Sequence, residues 1–313
     1  MEKSDVKKRN SLIELYRFLF AMNVVIGHGF FPVQVDRFGL DRISVEFFFI
    51  LSGYLFTRSL PKLAEMKTGE AIKATLISKL KPLLVPMVIG MISNLFFNIL
   101  TDHSKKYDLF RFLWYIPAML AIMAVYAILI TLIKKENVFW WIVAGLCFTA
   151  TLLRFSGNED LFYFDYIRST AAVSLGMLMG KLPKPNYKHK ITGWLLLAPV
   201  VAATFCIVYY RLARTDLRYE AILDMVLYPL LVYLSFGVDF HFAPFNYLGA
   251  LSFGIYAFQC TARLVECLGV TDSWAIFGVI VIPAIVEDLA KRIVRLIKQK
   301  SNKKSPAESS PSA

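Results

Sequence analysis

In the stretch RFLFAMNVVIGHGFF, residues 17–31, an arginine and a histidine interrupt a run otherwise apolar enough to enter a bilayer. Arg17 is permanently charged, and its planar guanidinium suits phosphate oxygens. His28 carries the side chain whose ordinary pKa lies nearest neutrality, which suits it to taking or giving a proton. If the stretch is one helix, their eleven-residue separation returns them to within roughly 20° of one face, about 16 Å apart along the axis. Asn23 lies between them on another side. Taken alone, an arginine reaching toward headgroups and a histidine resting in the interface explain the pair equally well.

Glu46, in SVEFFFILSGYLFTR, changes that balance. The second apolar run crosses back, so Glu46 comes to the depth of His28, Ser52 and Gly53 fall near the middle, and Arg58 reaches the edge on Arg17's side. A carboxylate beside an imidazole can fix one tautomer and stabilise the imidazolium, the arrangement of a general base. Ser52 and Gly53 also read as small residues that let helices pack closely. Lys79 and Lys81 add cations on the side of Arg17 and Arg58. Arg168, Gln259 and Arg263 fall on the side of His28, and Glu266 is placed to pair with Arg263 one turn away. Trp114 and Tyr115 read as belt aromatics at a membrane interface. Asp224 falls inside an apolar run without a legible partner.

These residues must be carried by membrane helices. The chain of 313 residues is 57% hydrophobic and 19% charged, with mean hydropathy +0.54, which excludes an ordinary soluble domain. Ten apolar runs are read as spans: 11–31, 41–60, 83–101, 112–133, 138–153, 166–182, 191–210, 219–238, 245–267 and 274–294, the fifth being short. In lipid the backbone must satisfy itself, so each is expected to be helical, and no alternating segments of barrel type occur. The expected fold is all-α and polytopic, with about ten transmembrane helices in a membrane domain over 1–296. A basic Ser/Pro-containing tail over 297–313 is expected to be disordered.

With the N-terminus inside, twenty-three basic residues fall in inner segments and nine in outer ones, so both termini are expected in the cytoplasm of a bacterial plasma membrane. The formal net charge of +12 then resides in juxtamembrane segments, and its partner is the lipid surface rather than nucleic acid. Glu14 and Arg17 interrupt the first run and no A-x-A-like site follows, so the first span reads as uncleaved. Cys147, Cys206, Cys260 and Cys267 fall in spans without C-x-x-C spacing, and no metal site or disulfide framework is expected.

The chain resembles the acyltransferase-3 family of integral membrane acyltransferases, which modify sugars and other molecules of the bacterial cell envelope. The resemblance rests on R-x10-H at Arg17 and His28, on FFILSGY at 48–54, on FLWYIPAML at 112–120 and on LGALSFGIYAFQ at 248–259. It departs from the family pattern at Gln259 and Phe112, where histidines are usual, and in KLKPLLVP, where Lys79, Lys81 and Pro82 replace an R-x-x-R-like pattern. The resemblance implies an enzyme that moves an acyl group, acetyl by preference, from cytoplasmic acyl-CoA to a hydroxyl of an envelope carbohydrate, with acyl-CoA as co-substrate and no bound cofactor. In that reading His28 is the base and Glu46 its orienting partner. Arg17, Arg58, Lys79 and Lys81 hold the donor, while Arg168, Gln259 and Arg263 lie toward the acceptor. A polar seam through a helical bundle also describes a route for exporting a polysaccharide or lipid-linked sugar, and the departures are compatible with a non-catalytic family member.

Overall fold

The computed structural model describes residues 10–31, 40–101, 113–133, 135–156, 164–209 and 217–304. Phe112, the residues before Asn10, the tail from 305 onward and the connection cations Arg37, Lys105, Lys106, Arg111, Lys134, Arg211 and Arg214 lie outside these segments. The described residues are helical throughout, with no strand among them.

Helices α1 (Ser11–Gly27), α2 (Leu40–Thr57), α3 (Leu60–Ala64), α4 (Thr68–Leu80), α5 (Leu84–Leu100), α6 (Tyr115–Leu132) and α7 (Glu136–Phe155) form the first half. The second half holds α8 (Phe164–Lys181), α9 (Lys190–Tyr209), α10 (Leu217–Ile222), a π-helical turn Leu223–Leu227, α11 (Tyr228–Gly237), α12 (Ala243–Cys267) and α13 (Ser273–Lys304). Seven helices among the described residues are long and apolar enough to cross a membrane, so ten crossings are not confirmed on that criterion. The shortfall has a physical cause. Helix α1 has only 17 residues, α2 contributes a shorter apolar stretch over 43–57, and α8 carries Asp165, Arg168 and Lys181. These are the helices whose polar residues turn into the bundle. The connection over 58–81, expected only as a basic loop, folds as α3 and α4.

Two local devices place the helices that matter. Asn10 caps α1 by accepting from the N–H groups of Leu12 and Ile13, at 3.1 and 3.3 Å, and so satisfies two otherwise orphaned donors. Its amide donates to the carbonyls of Ser235 and Val238, at 2.7 and 2.9 Å, which ties the start of α1 to the end of α11. Elsewhere α2 lies directly on α8: a Cβ at Gly53 would collide with the carbonyl of Val173, and one at Gly176 with that of Ile50. Only the absence of side chains lets the two backbones approach this closely. The end of the bundle holding Asn10, Arg58 and Lys79 is called the basic end below.

Candidate active site

A cavity of about 820 Å³ reaches the surface at the basic end. Arg58 from the end of α2, Lys79 from α4, Lys184 from the segment before α9 and His241 from the segment before α12 stand around it. The Arg58 guanidinium lies over the rings of Phe236 and Tyr54, 4.8 and 5.5 Å from their centroids; aromatic faces hold a cation in place without cancelling its charge. His241 Nε2 is 2.9 Å from Asp239 Oδ1. Arg17 lines the cavity from α1 with its Nη1 2.8 Å from Glu14 Oε2. Glu14 in turn is seated on α12 at Gly249, where any Cβ would collide with its side chain.

Along α2 the wall runs from Arg58 through Leu55, Ser52 and Phe48 to Val45. Thirteen residues of helix span about 20 Å, a large part of a hydrocarbon core of about 30 Å. Tyr115 and Met119 of α6 face this stripe, as do Ser252, Phe253 and Tyr256 of α12. Ser52 Oγ and Tyr115 Oη are 3.2 Å apart, and the Tyr115 hydroxyl also lies 3.1 Å from Met119 Sδ. The walls are otherwise apolar, so the cavity offers cations at its mouth and a few hydroxyls deeper in.

A buried charge network stands at the opposite end. Arg168 donates from Nε and Nη2 to one oxygen of Glu46, at 2.8 and 2.7 Å, and its guanidinium lies 5.3 Å from the centre of the Trp114 ring. Arg154 Nη2 is 3.2 Å from Glu46 Oε1, 2.9 Å from Glu220 Oε1 and 2.5 Å from Asp224 Oδ2. Glu46, Arg154, Arg168 and Asp224 are each at most 4% exposed. In a low-dielectric interior such charges persist only when paired, and here the pairing joins α2, α7, α8 and α10 with its π-helical turn. Asp224 sits in that turn, where the extra residue rotates the following side chains relative to a regular helix.

His28 occupies the C-cap of α1, its N–H bonded to the carbonyl of Val24 at 3.0 Å. Gly29 follows with φ +85°, a conformation that glycine adopts without strain. The His28 ring lies 6.3 Å from the ring of Phe30, and the Arg263 guanidinium lies 5.0 Å from the same ring. Arg263 pairs with Glu266 at 2.9 Å, as their spacing predicts. Gln259, one turn before Arg263, is buried.

The structure therefore brings Arg17, Arg58 and Lys79 onto one cavity together with Ser52. Lys81 is not in its lining; it caps α4, with its N–H on the carbonyl of Ile77 at 3.0 Å. The expected His28–Glu46 pair is not formed: Arg168 and Arg154 both engage Oε1 of Glu46, and Oε2 is buried without a hydrogen-bond partner. Arg168 correspondingly answers a buried acid rather than presenting its charge to an acceptor. Gly53 is a packing residue. Tyr115 is buried in the cavity wall rather than set in an aromatic belt, and half-buried Trp114 lies beneath Arg168.

A family model for an acyltransferase domain matches residues 10–286, nearly the whole chain. The chain belongs to the acyltransferase-3 family. No curated protein and no solved structure matches it. In this acyltransferase-3 chain, Arg17, Phe48, Ser52, Tyr115, Ser252 and Tyr256 come from the four blocks that carried the resemblance, and all six line the same cavity. Residues far apart in sequence thus converge on one space.

Sequence reasoning missed Glu14 as the partner of Arg17, although an acid three residues before a base was the available signal. It also missed Lys184 and His241, which carry no local signature, and did not single out Tyr256 within the block over 248–259. Arg154 was assigned to a connection beyond the fifth span, whereas α7 continues through it. Its partner Asp224 lies seventy residues away, a distance at which one sequence gives no sign of contact.

Proposed function

We propose that the protein takes an acetyl or other short acyl group from acyl-CoA in the cytoplasm and passes it to a hydroxyl of a cell-envelope carbohydrate. In this reading the basic end faces the cytoplasm of a bacterial cell, both termini lie there, and no bound cofactor is needed. The observation that carries it is the cavity: cations at its mouth, on four separate elements, give way to apolar walls that run along α2 for about 20 Å. That order of surfaces matches a polyanionic head followed by a slender arm and a small acyl group.

Arg17, Arg58 and Lys79 hold the donor's phosphates, and Lys184 and His241 add positive or hydrogen-bonding surface at the rim. At the opposite end His28 takes the proton of the acceptor hydroxyl as its oxygen attacks the thioester carbon. A carbon–oxygen bond forms, the carbon–sulfur bond breaks, and the thiol of CoA leaves after regaining a proton. The cavity lining reaches Val45 on α2 but does not include His28, so in this reading the acyl group must travel beyond the end of the cavity to meet the acceptor. The Arg154–Glu46–Arg168 network holds α2, α7 and α8 in register.

The test is transfer of label from radiolabelled acetyl-CoA by purified protein in lipid nanodiscs to an envelope extract. Labelled carbohydrate is the expected product. Absence of label on any acceptor, with export of an envelope polymer lost on deletion of the gene, would replace this reading with the transport one. Reporter fusions near residue 65 and at the C-terminus are expected to report cytoplasm.

A further inference from the structure

The Tyr256 hydroxyl is buried in the cavity wall, its oxygen beside the backbone N–H of Tyr115 and its proton without an acceptor in the protein. The residue is only 5% exposed, and its ring is held edge-on to Tyr115 with centroids 5.9 Å apart and near Phe253 at 6.4 Å. Phenylalanine would fill the same space, and a buried O–H whose proton finds no acceptor carries a desolvation cost that the ring alone does not. Packing therefore accounts for the ring but not for the oxygen. The neighbouring polar atoms are already engaged: Ser52 with Tyr115 at 3.2 Å, and Ser252 with the carbonyl of Gly249 at 2.8 Å. Tyr256 belongs to the wall of a cavity whose mouth is cationic and whose shape suits an extended, phosphate-headed molecule, and its O–H is a donor there that no protein acceptor uses. Such a molecule presents acceptor-only carbonyl oxygens along its length.

We propose that Tyr256 donates a hydrogen bond to a carbonyl oxygen of the acyl donor, that of the thioester or of an amide in the pantetheine arm, and so fixes how deeply the donor sits. This rests on the acyl-CoA reading of the cavity. The experiment compares wild type with Tyr256→Phe in nanodiscs, measuring the ligand-free melting temperature and the equilibrium affinities for acetyl-CoA and for free CoA. Tyr256→Phe is expected to melt at the same or a higher temperature and to bind acetyl-CoA about tenfold more weakly, the size of one hydrogen bond. Unchanged binding of CoA would assign the bond to the thioester carbonyl, and an equal loss for CoA would assign it to an arm amide. Wild-type affinity of the variant for both ligands overturns the proposal, as does a variant that fails to fold, which would place the hydroxyl in the fold itself. Wild-type protein that binds neither ligand overturns the acyl-CoA reading, and this inference with it.

Discussion

Arg168 grips one oxygen of Glu46 with two nitrogens, at 2.8 and 2.7 Å, deep between α2 and α8. Both side chains are at least 96% buried, and the helices that carry them meet through Gly53 and Gly176 without intervening side chains. The ion pair and the close backbone packing fix the same interface, so Glu46 serves the fold first.

Glu46→Gln should accordingly act on stability. Removing one partner of a buried ion pair leaves the other charge uncompensated and costs about 3–5 kcal/mol. The variant is expected to melt well below wild type in nanodiscs, and its remaining activity should keep the wild-type dependence on pH. A displaced pH–rate profile in a protein of undiminished stability would instead couple Glu46 to His28.

Arg154 and Asp224 make the sharper test of the network, because their 2.5 Å contact is isolated from the cavity. Arg154→Met leaves Glu46, Glu220 and Asp224 sharing Arg168 alone among the residues of the network, and it should destabilise the protein strongly. Asp224→Asn added to Arg154→Met should recover part of that loss. A double-mutant cycle read by thermal or denaturant unfolding is expected to give a coupling within 0.5–3 kcal/mol, the usual scale for residues in one network; strictly additive effects would deny the contact any role in the fold.

Much of the bundle was legible because apolar runs long enough to cross lipid leave little alternative to a helix. The run expected over 83–101 folds as Leu84–Leu100, and that over 245–267 as Ala243–Cys267. Charges were where the reading failed. The fifth run is read as 138–153, with Arg154 beyond it, yet Asp224 and Glu46 neutralise Arg154 and α7 runs on to Phe155. Glu46 was given to His28 by depth alone, whereas azimuth around α2 decides its partner and points it toward α7 and α8. On the basic side depth sufficed, since any cation near the mouth of a wide cavity can reach it. That is why Arg17, Arg58 and Lys79 were found together and only Lys81, turned away at the end of α4, was not.

Arg17→Ala and Lys81→Ala separate cavity charge from general basicity. Arg17 is only partly exposed and lines the cavity, while Lys81 does not. Equilibrium binding of acetyl-CoA should weaken at least tenfold in Arg17→Ala and stay within twofold of wild type in Lys81→Ala. Raising salt should erode wild-type affinity less than it would for a surface site, because partly buried charges are less screened. Equal affinities in the two variants would remove Arg17 from the donor site.

His28 is the residue on which the chemistry turns. It stands at the end of α1 remote from the cations of the cavity mouth, eleven residues and about 16 Å beyond Arg17, and outside the cavity lining. Its loss should therefore spare donor binding while removing proton transfer. His28→Ala is expected to bind acetyl-CoA as wild type does and to lower acyl transfer by about 10²-fold or more, the usual contribution of a positioned base. The C-cap bond to Val24 comes from the His28 backbone and survives in alanine, and the melting temperature measured beside the rate separates folding from chemistry. Transfer in wild type should also fall as pH drops through the titration of the imidazole, since only the neutral ring can accept a proton. Under saturating acetyl-CoA, a His28→Ala protein that transfers label at the wild-type rate would show that the acceptor is deprotonated elsewhere.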